Sequence, residues 1–193
     1  MRPLLTLRST GVVLPDDDVD TDQIIPARWL SVTTREGLGV HCLGSRRFDA
    51  EGRPLADSPF SDNRARDAQI LIAGANFGCG SSREHAVWAL LDMGIRVVIA
   101  SSFADIFTSN AAKNGLLAAR VEPAAWRTLI AQPFPTLSVD LEQRTISCPS
   151  SGEPVPFEVD PFARHCLLRG LDPLGYLLDA LADIERHEQE ARV

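Results

Sequence analysis

Residues 70–121 alternate in a way that leaves few folds open. ILIAG is an apolar run short enough for a buried strand, and SREHAVWALLDMG carries a helical period. RVVIA reads as a second strand, FADIFTSNAAKNG as a second helix and LLAARV as a third strand. A βαβαβ run of this kind implies parallel strands with crossover helices, because parallel neighbours cannot be joined by a tight hairpin. Gly94 and Gly115 fall where these helices end and a left-handed residue is needed.

The flanks are less regular. After Pro123 the pattern predicts a short helix over AAWRTLIAQ, then three β-like pieces, TLSVDL, TISCP and EPVPFEV, forming a mixed sheet layer. PFARHCLLRG and DPLGYLLDALADIERHEQEA read as two terminal helices. The second, a C-terminal helix over 172–193, is amphipathic through Leu174, Leu177, Leu178, Leu181 and Ile184. Residues 50–69, rich in Pro, Asp, Ser and Arg, are the one expected long loop. With 193 residues, 45% of them hydrophobic, a single domain spanning 1–193 is expected.

A net charge of −7 without any block of Lys or Arg argues against a nucleic-acid face. MRPLLTLRSTGVVLP lacks the apolar core and cleavage site of a secretory signal, and no apolar run reaches the ~18 residues of a membrane span. A cytoplasmic protein with no membrane partner is expected. Cys42, Cys79, Cys148 and Cys166 lie far apart without a C-x-x-C pair, so spacing assembles neither a zinc site nor an iron–sulfur cluster. They read as reduced thiols, with Cys148 and Cys166 as packing residues.

The densest chemistry is Gly78-Cys79-Gly80-Ser81-Ser82-Arg83-Glu84-His85, between a predicted strand and helix. Ser81 and Glu84 fit the S-x-x-E capping box. A cap alone does not use the glycines, the second hydroxyl or Arg83. Open amides at the positive end of a helix, two hydroxyls and a forked guanidinium together suit a carboxylate or phosphate. The dinucleotide fingerprint fails because Arg83 stands at its third glycine, and the Gly-Lys-Ser/Thr of a P-loop is absent. Cys79 with His85 leaves a thiol hydrolase open, since a helix start lowers a thiol pKa. The plainer roles are a small turn residue and a helix-side hydrogen-bonder.

A second cluster, PDDDVDTDQIIPARWL, carries Asp16, Asp17, Asp18, Asp20 and Asp22. An EF-hand counted from Asp18 fails, because Gln23 and Trp29 stand where glycine and glutamate are required. Asp16 and Asp17 read as a solvated turn; Asp22, beside Ile24, Ile25 and Pro26, is the one expected to be held rigidly.

VDTDQIIPARWL, ILIAGANFGCGSSREHAVWAL, RVVIASSFADIF with KNGLL, and HCLLRGLDPLG occur in that order over nearly the whole chain. Together they resemble the small subunits of 3-isopropylmalate dehydratase (isopropylmalate isomerase), which are similar to the swivelling last domain of aconitase. The resemblance implies an α/β fold, a swivelling β/β/α three-layer domain closing over an active site on a separate large subunit. It implies Ser81 as the base that removes a carbon-bound proton, Ser82 and Arg83 as binders of substrate carboxylate, and Asp22 as an active-site aspartate. Arg35, in WLSVTTREGLG, matches a substrate-gripping arginine. Asn110, Lys113, Asn114 and Gly115 belong to the family pattern and would end a helix and brace the glycine loop.

The implied reaction interconverts 2-isopropylmalate and 3-isopropylmalate through 2-isopropylmaleate, a lyase step of leucine biosynthesis. The implied cofactor is an iron–sulfur cluster on the large subunit of a heterodimer, with none bound by this chain. Gly44-Ser45-Arg46-Arg47-Phe48 and SPFSDNRARDAQ depart from the family pattern. They leave open a partner for another 2-substituted malate, homoaconitase-like or citraconate-like. A non-catalytic anion-binding module also stays open at this point.

Overall fold

The computed structural model describes residues 1–149 and 152–191. Its strands are β1 (Thr6–Leu14), β2 (Ile70–Ala73), β3 (Val97–Ala100), β4 (Leu117–Arg120), β5 (Thr136–Asp140), β6 (Thr145–Ser147) and β7 (Val155–Pro156). The helices are α1 (Thr21–Ile24), α2 (Gly44–Arg47), α3 (Glu84–Asp92), α4 (Asp105–Asn114), α5 (Pro123–Leu129), α6 (Pro161–Arg169), α7 (Pro173–Asp179) and α8 (Leu181–Glu190).

The βαβαβ expectation holds: β2, β3 and β4 pair in parallel, with α3 and α4 as crossovers. β2 and β3 are buried at every residue, which is why they read as unbroken apolar runs. All seven strands share one sheet in the order β4-β3-β2-β1-β5-β6-β7. β1 was not anticipated, yet it joins the two halves. Gly11–Leu14 pair parallel to β2, while Thr6–Thr10 pair antiparallel to β5.

The antiparallel half curls over one face of the parallel half. Leu137, Val139, Ile146, Val155 and Phe157 share a core with Ile70, Ile72, Val97 and Ile99. A bridge between Arg120 and Glu158, with N–H···O bonds of 3.0 and 2.7 Å, brings the two ends of the sheet together. The alternate residues Leu71, Ala73, Val98 and Ala100 face a second core with Ile24, Ile25, Leu38, Ala86, Leu90 and Phe107. The result is a β/β/α arrangement, with α1, α3 and α4 as its helical layer.

Two local expectations change. Residues 50–69 contain 3-10 turns at Pro59–Ser61 and Asn63–Ala65, started by Ser58 and Asp62 side chains that accept from Phe60 and Arg64 amides. The helix expected over 172–193 is divided at Ala180 into α7 and α8, and residues 192–193 lie outside the described set.

Candidate active site

Parallel pairing puts the carboxyl ends of β1, β2 and β3 on one edge, where ligands of open α/β sheets bind. The acidic and glycine-rich stretches leave from that edge and are zipped together as the ladder continues. Asp20 and Cys79 form a parallel bridge, and the Gly78 and Thr21 amides donate to the Val19 and Cys79 carbonyls at 2.8 and 2.9 Å. Buried Thr21 donates through Oγ1 to the Ser81 carbonyl at 3.0 Å.

The remaining aspartates are structural. Asp17 Oδ1 accepts from the Ala75 amide at 2.6 Å, Asp18 Oδ1 from Asn76 Nδ2 at 2.8 Å, and Asp16 pairs with Arg46 at 3.2 Å. Asp16 and Asp17 nonetheless stay in the solvated turn expected of them, Asp17 exposed in a bend and the Asp16 side chain 41% exposed. Asp20 caps α1 by accepting from the Gln23 amide at 2.7 Å. The GSRRF departure lies behind this loop: Arg46 donates to Gln23 at 3.0 Å, and Arg47 donates to the Gly39 and Cys42 carbonyls at 3.0 Å.

Gly78 sits at φ +77°, and a Cβ there would meet Phe107 Cγ at 2.3 Å. Phe107 in turn packs edge-on against Phe77 at 5.3 Å. Gly78→Ala must move a buried ring while adopting a left-handed residue, at about 2–4 kcal/mol. The expected result is a markedly lower unfolding midpoint by calorimetry; an unchanged midpoint would mean the loop relaxes freely.

The capping box does not form. Arg83 is the N-cap of α3 at φ −135°, and no side chain caps the helix. Glu84 instead accepts from Asn114 Nδ2 at 2.8 Å. Asn114, only 6% exposed, also donates to the Asn110 carbonyl at 2.9 Å and accepts from Trp88 Nε1 at 3.0 Å, so the end of α4 holds the start of α3. Ser81 and Ser82 are exposed, their hydroxyls make no hydrogen bond among the described residues, and the Glu84 and His85 amides at the start of α3 have no acceptor among them either.

The Arg83 side chain is 12% exposed, and its Nη1 forms an ion pair with Asp22, which is 55% exposed. Asp22 is thus held by charge at the surface rather than by packing beside Ile24. The Arg83 guanidinium keeps the Asp22 carboxyl below its usual value, so this pair is complete at neutral pH and is lost only as pH falls through that lowered value. Arg35 is exposed and lies over the Trp88 ring at 5.3 Å. Its loop is tied to α3 where His85 Nε2 donates to the Val32 carbonyl at 2.8 Å. The structure thus joins Asp22, Ser81, Ser82 and Arg83 at one helix start, with Arg35 beside the same helix. Thr21 and Trp88, which hold Ser81 and Arg35, were missed because their partners lie 60 and 53 residues away in the chain.

His85 is committed to Val32, and burial together with Asp18 and Asp20 pushes the Cys79 thiol up. The thiol-hydrolase reading, which needed a lowered pKa and a Cys79–His85 contact, is overturned. Nor do the cysteines fit an iron–sulfur cluster: Cys42 lies in one core, its thiol pushed by burial up to about 12, Cys148 in the other, Cys166 inside α6 and Cys79 in the loop. Among the described residues no group of three or more His, Cys, Asp or Glu could hold a metal ion, and no helix is long and apolar enough to cross a membrane.

The family model for the aconitase C-terminal domain matches residues 1–124. The chain belongs to the aconitase C-terminal domain family. Among this family's members, the 3-isopropylmalate dehydratase small subunit of Anaeromyxobacter dehalogenans is 48% identical over 97% of this chain and 98% of its own length. That of Roseiflexus is 46% identical over 97% and 94%, and that of Dinoroseobacter shibae 45% over 99% and 96%. A solved structure of 3-isopropylmalate dehydratase LeuD from Methanocaldococcus jannaschii superimposes with a TM-score of 0.71 at 28% identity, covering 95% of this chain and 99% of that one.

Proposed function

We propose that this chain is the small subunit of a 3-isopropylmalate dehydratase, acting with a large subunit on 2-isopropylmalate and 3-isopropylmalate in leucine biosynthesis. The observation that carries the reading is the meeting of Ser81, Ser82 and Arg83 with Asp22 at the uncapped start of α3, in a chain similar over almost its full length to proteins of that name.

A substrate carboxylate displaces Asp22 and takes the forked contact with Arg83, with the Ser82 hydroxyl beside it. Binding thereby exchanges one carboxylate for another at a half-buried guanidinium, without leaving a charge unpaired. Ser81 Oγ, free of any capping duty, takes the carbon-bound proton. An alkoxide is a strong base and needs help to form; the open α3 amides and Arg83 offer fixed positive potential there. Departure of the hydroxyl needs a Lewis acid, which we assign to an iron–sulfur cluster on the large subunit. The Arg35 loop, stacked on Trp88, faces the part of the substrate that varies among 2-substituted malates.

Anaerobic copurification with a large subunit, followed by assay over a panel of alkylmalates, tests the reading. The isolated chain should be colourless, hold no stoichiometric iron and be inactive, while the reconstituted pair turns over isopropylmalate fastest. Activity of the chain alone on any alkylmalate would overturn the two-subunit mechanism. Faster turnover of another 2-substituted malate would leave the mechanism and replace the substrate.

A further inference from the structure

We propose that one stripe of α3, formed by His85, Trp88 and Asp92, positions the loop 33–37 and thereby decides how large a 2-substituent the site accepts; this deepens the reading above and rests on it. The three residues are spaced i, i+3 and i+7 in the Glu84–Asp92 helix, so at ~100° per residue they fall within an arc of about 60°. The chain from Asp22 to Gly39 runs beside them in step. Asp22 meets Arg83, and the Val32 carbonyl accepts from His85 Nε2 at 2.8 Å. The Arg35 guanidinium lies 5.3 Å from the centre of the Trp88 ring, and the Gly39 amide donates to Asp92 Oδ2 at 2.7 Å. One helix thus carries Arg83 at its start and holds the loop along its length.

Both ends of the loop are fixed. Val32 packs half-buried against the core, and a Cβ on Gly39 would stand 2.5 Å from the Met93 nitrogen, so that turn is pressed onto the end of α3. Arg47 holds it from the other side through the Gly39 and Cys42 carbonyls at 3.0 Å. Between these ends Thr33, Thr34, Arg35, Glu36 and Gly37 are exposed and make no hydrogen bond among the described residues. The middle of the loop is held where Arg35 lies over Trp88. Trp88 is itself braced, its ring 4.6 Å from that of His85 and its Nε1 donating to Asn114 at 3.0 Å.

A loop in place for only part of the time weakens apparent binding by that fraction. Contact with an unreactive substituent is alike in the bound substrate and the transition state, so its loss falls on KM and spares kcat. A methyl group asks less of the loop than an isopropyl group, so the loss grows with the substituent.

Two pairs of variants, made in the full chain and assayed with the large subunit, separate positioning from packing: Trp88→Leu against Trp88→Phe, and His85→Ala against His85→Gln. Both Trp88 variants lose the Asn114 bond, but only phenylalanine keeps a ring face for Arg35. Only glutamine keeps an N–H for the Val32 carbonyl. The ratio of kcat/KM for isopropylmalate to that for methylmalate should fall by about 10-fold in Trp88→Leu and His85→Ala, through KM, and by less than about 3-fold in the other two. Trypsin cleavage after Arg35 in the isolated chain should quicken by about 10-fold in the first two and stay near the parent rate in the other two. An equal fall on both substrates would signify lost packing and overturn the specificity role, as would a parent-like ratio in Trp88→Leu or a Trp88→Phe variant as impaired as Trp88→Leu. Cleavage of Trp88→Leu at the parent rate would overturn the positioning of the loop whatever the substrate. A parent pair inactive on every alkylmalate would instead remove the proposed function, with the cleavage rates still deciding whether Trp88 and His85 hold the loop.

Discussion

Ser81→Ala in the reconstituted enzyme should lower kcat by about 10²–10⁴-fold, the range supplied by a positioned proton-transfer group. Stability should hardly move. A serine engaged in an N-cap would cost ~1 kcal/mol on truncation. Ser81 is exposed and makes no cap, so the expected cost is below about 0.5 kcal/mol. Turnover and unfolding measured on the same preparation therefore separate a chemical role from a structural one. The Ser81 backbone carbonyl still accepts from Thr21, so alanine leaves the loop in place. Near-normal kcat would show that another group is the base.

Arg83→Lys should reduce kcat/KM by about 100-fold, through KM as well as kcat, although the charge is retained. An ammonium on a flexible stem cannot make the two parallel bonds that a planar guanidinium makes to a carboxylate. The parent side chain is 12% exposed against Asp22, so lysine also leaves a half-buried space. Asp22→Asn supplies the complementary observation. With Arg83 no longer held by a carboxylate, substrate should bind more tightly while kcat falls, if Asp22 orients Arg83 between turnovers. Equal kcat/KM for Arg83→Lys and the parent would mean that Arg83 does not touch substrate.

The relation between sequence and site is clearest where residues depart from local rules. Ser81-x-x-Glu84 satisfied the capping pattern, but Glu84 found a better partner in Asn114, 30 residues later. Sequence could not weigh that competition, because it depends on the end of α4 lying against the start of α3. β1 escaped notice for a related reason. Its TLRSTGVVL is polar where it pairs with the antiparallel half and apolar where it pairs with β2, so neither period runs through the strand. The tail stripe was visible as a pattern, but the exposure of its leucines was not.

What the sequence determined by itself was the parallel α/β half and the identity of the loop chemistry. Buried strands must be continuously apolar and crossover helices must carry a 3.6 period, and both signals are local. The Gly-Ser-Ser-Arg and Asp-Thr-Asp sets were legible for the same reason, since each is a few adjacent residues. Tertiary structure alone decided which groups are free to act. It set Arg83 against Asp22, relieved Ser81 of capping by binding Glu84 elsewhere, and tied the Arg35 loop to α3 through His85 and Trp88. Each of these contacts joins segments from 30 to 61 residues apart, and only the register of β1 and β2 with α3 and α4 packed on one face brings such segments together.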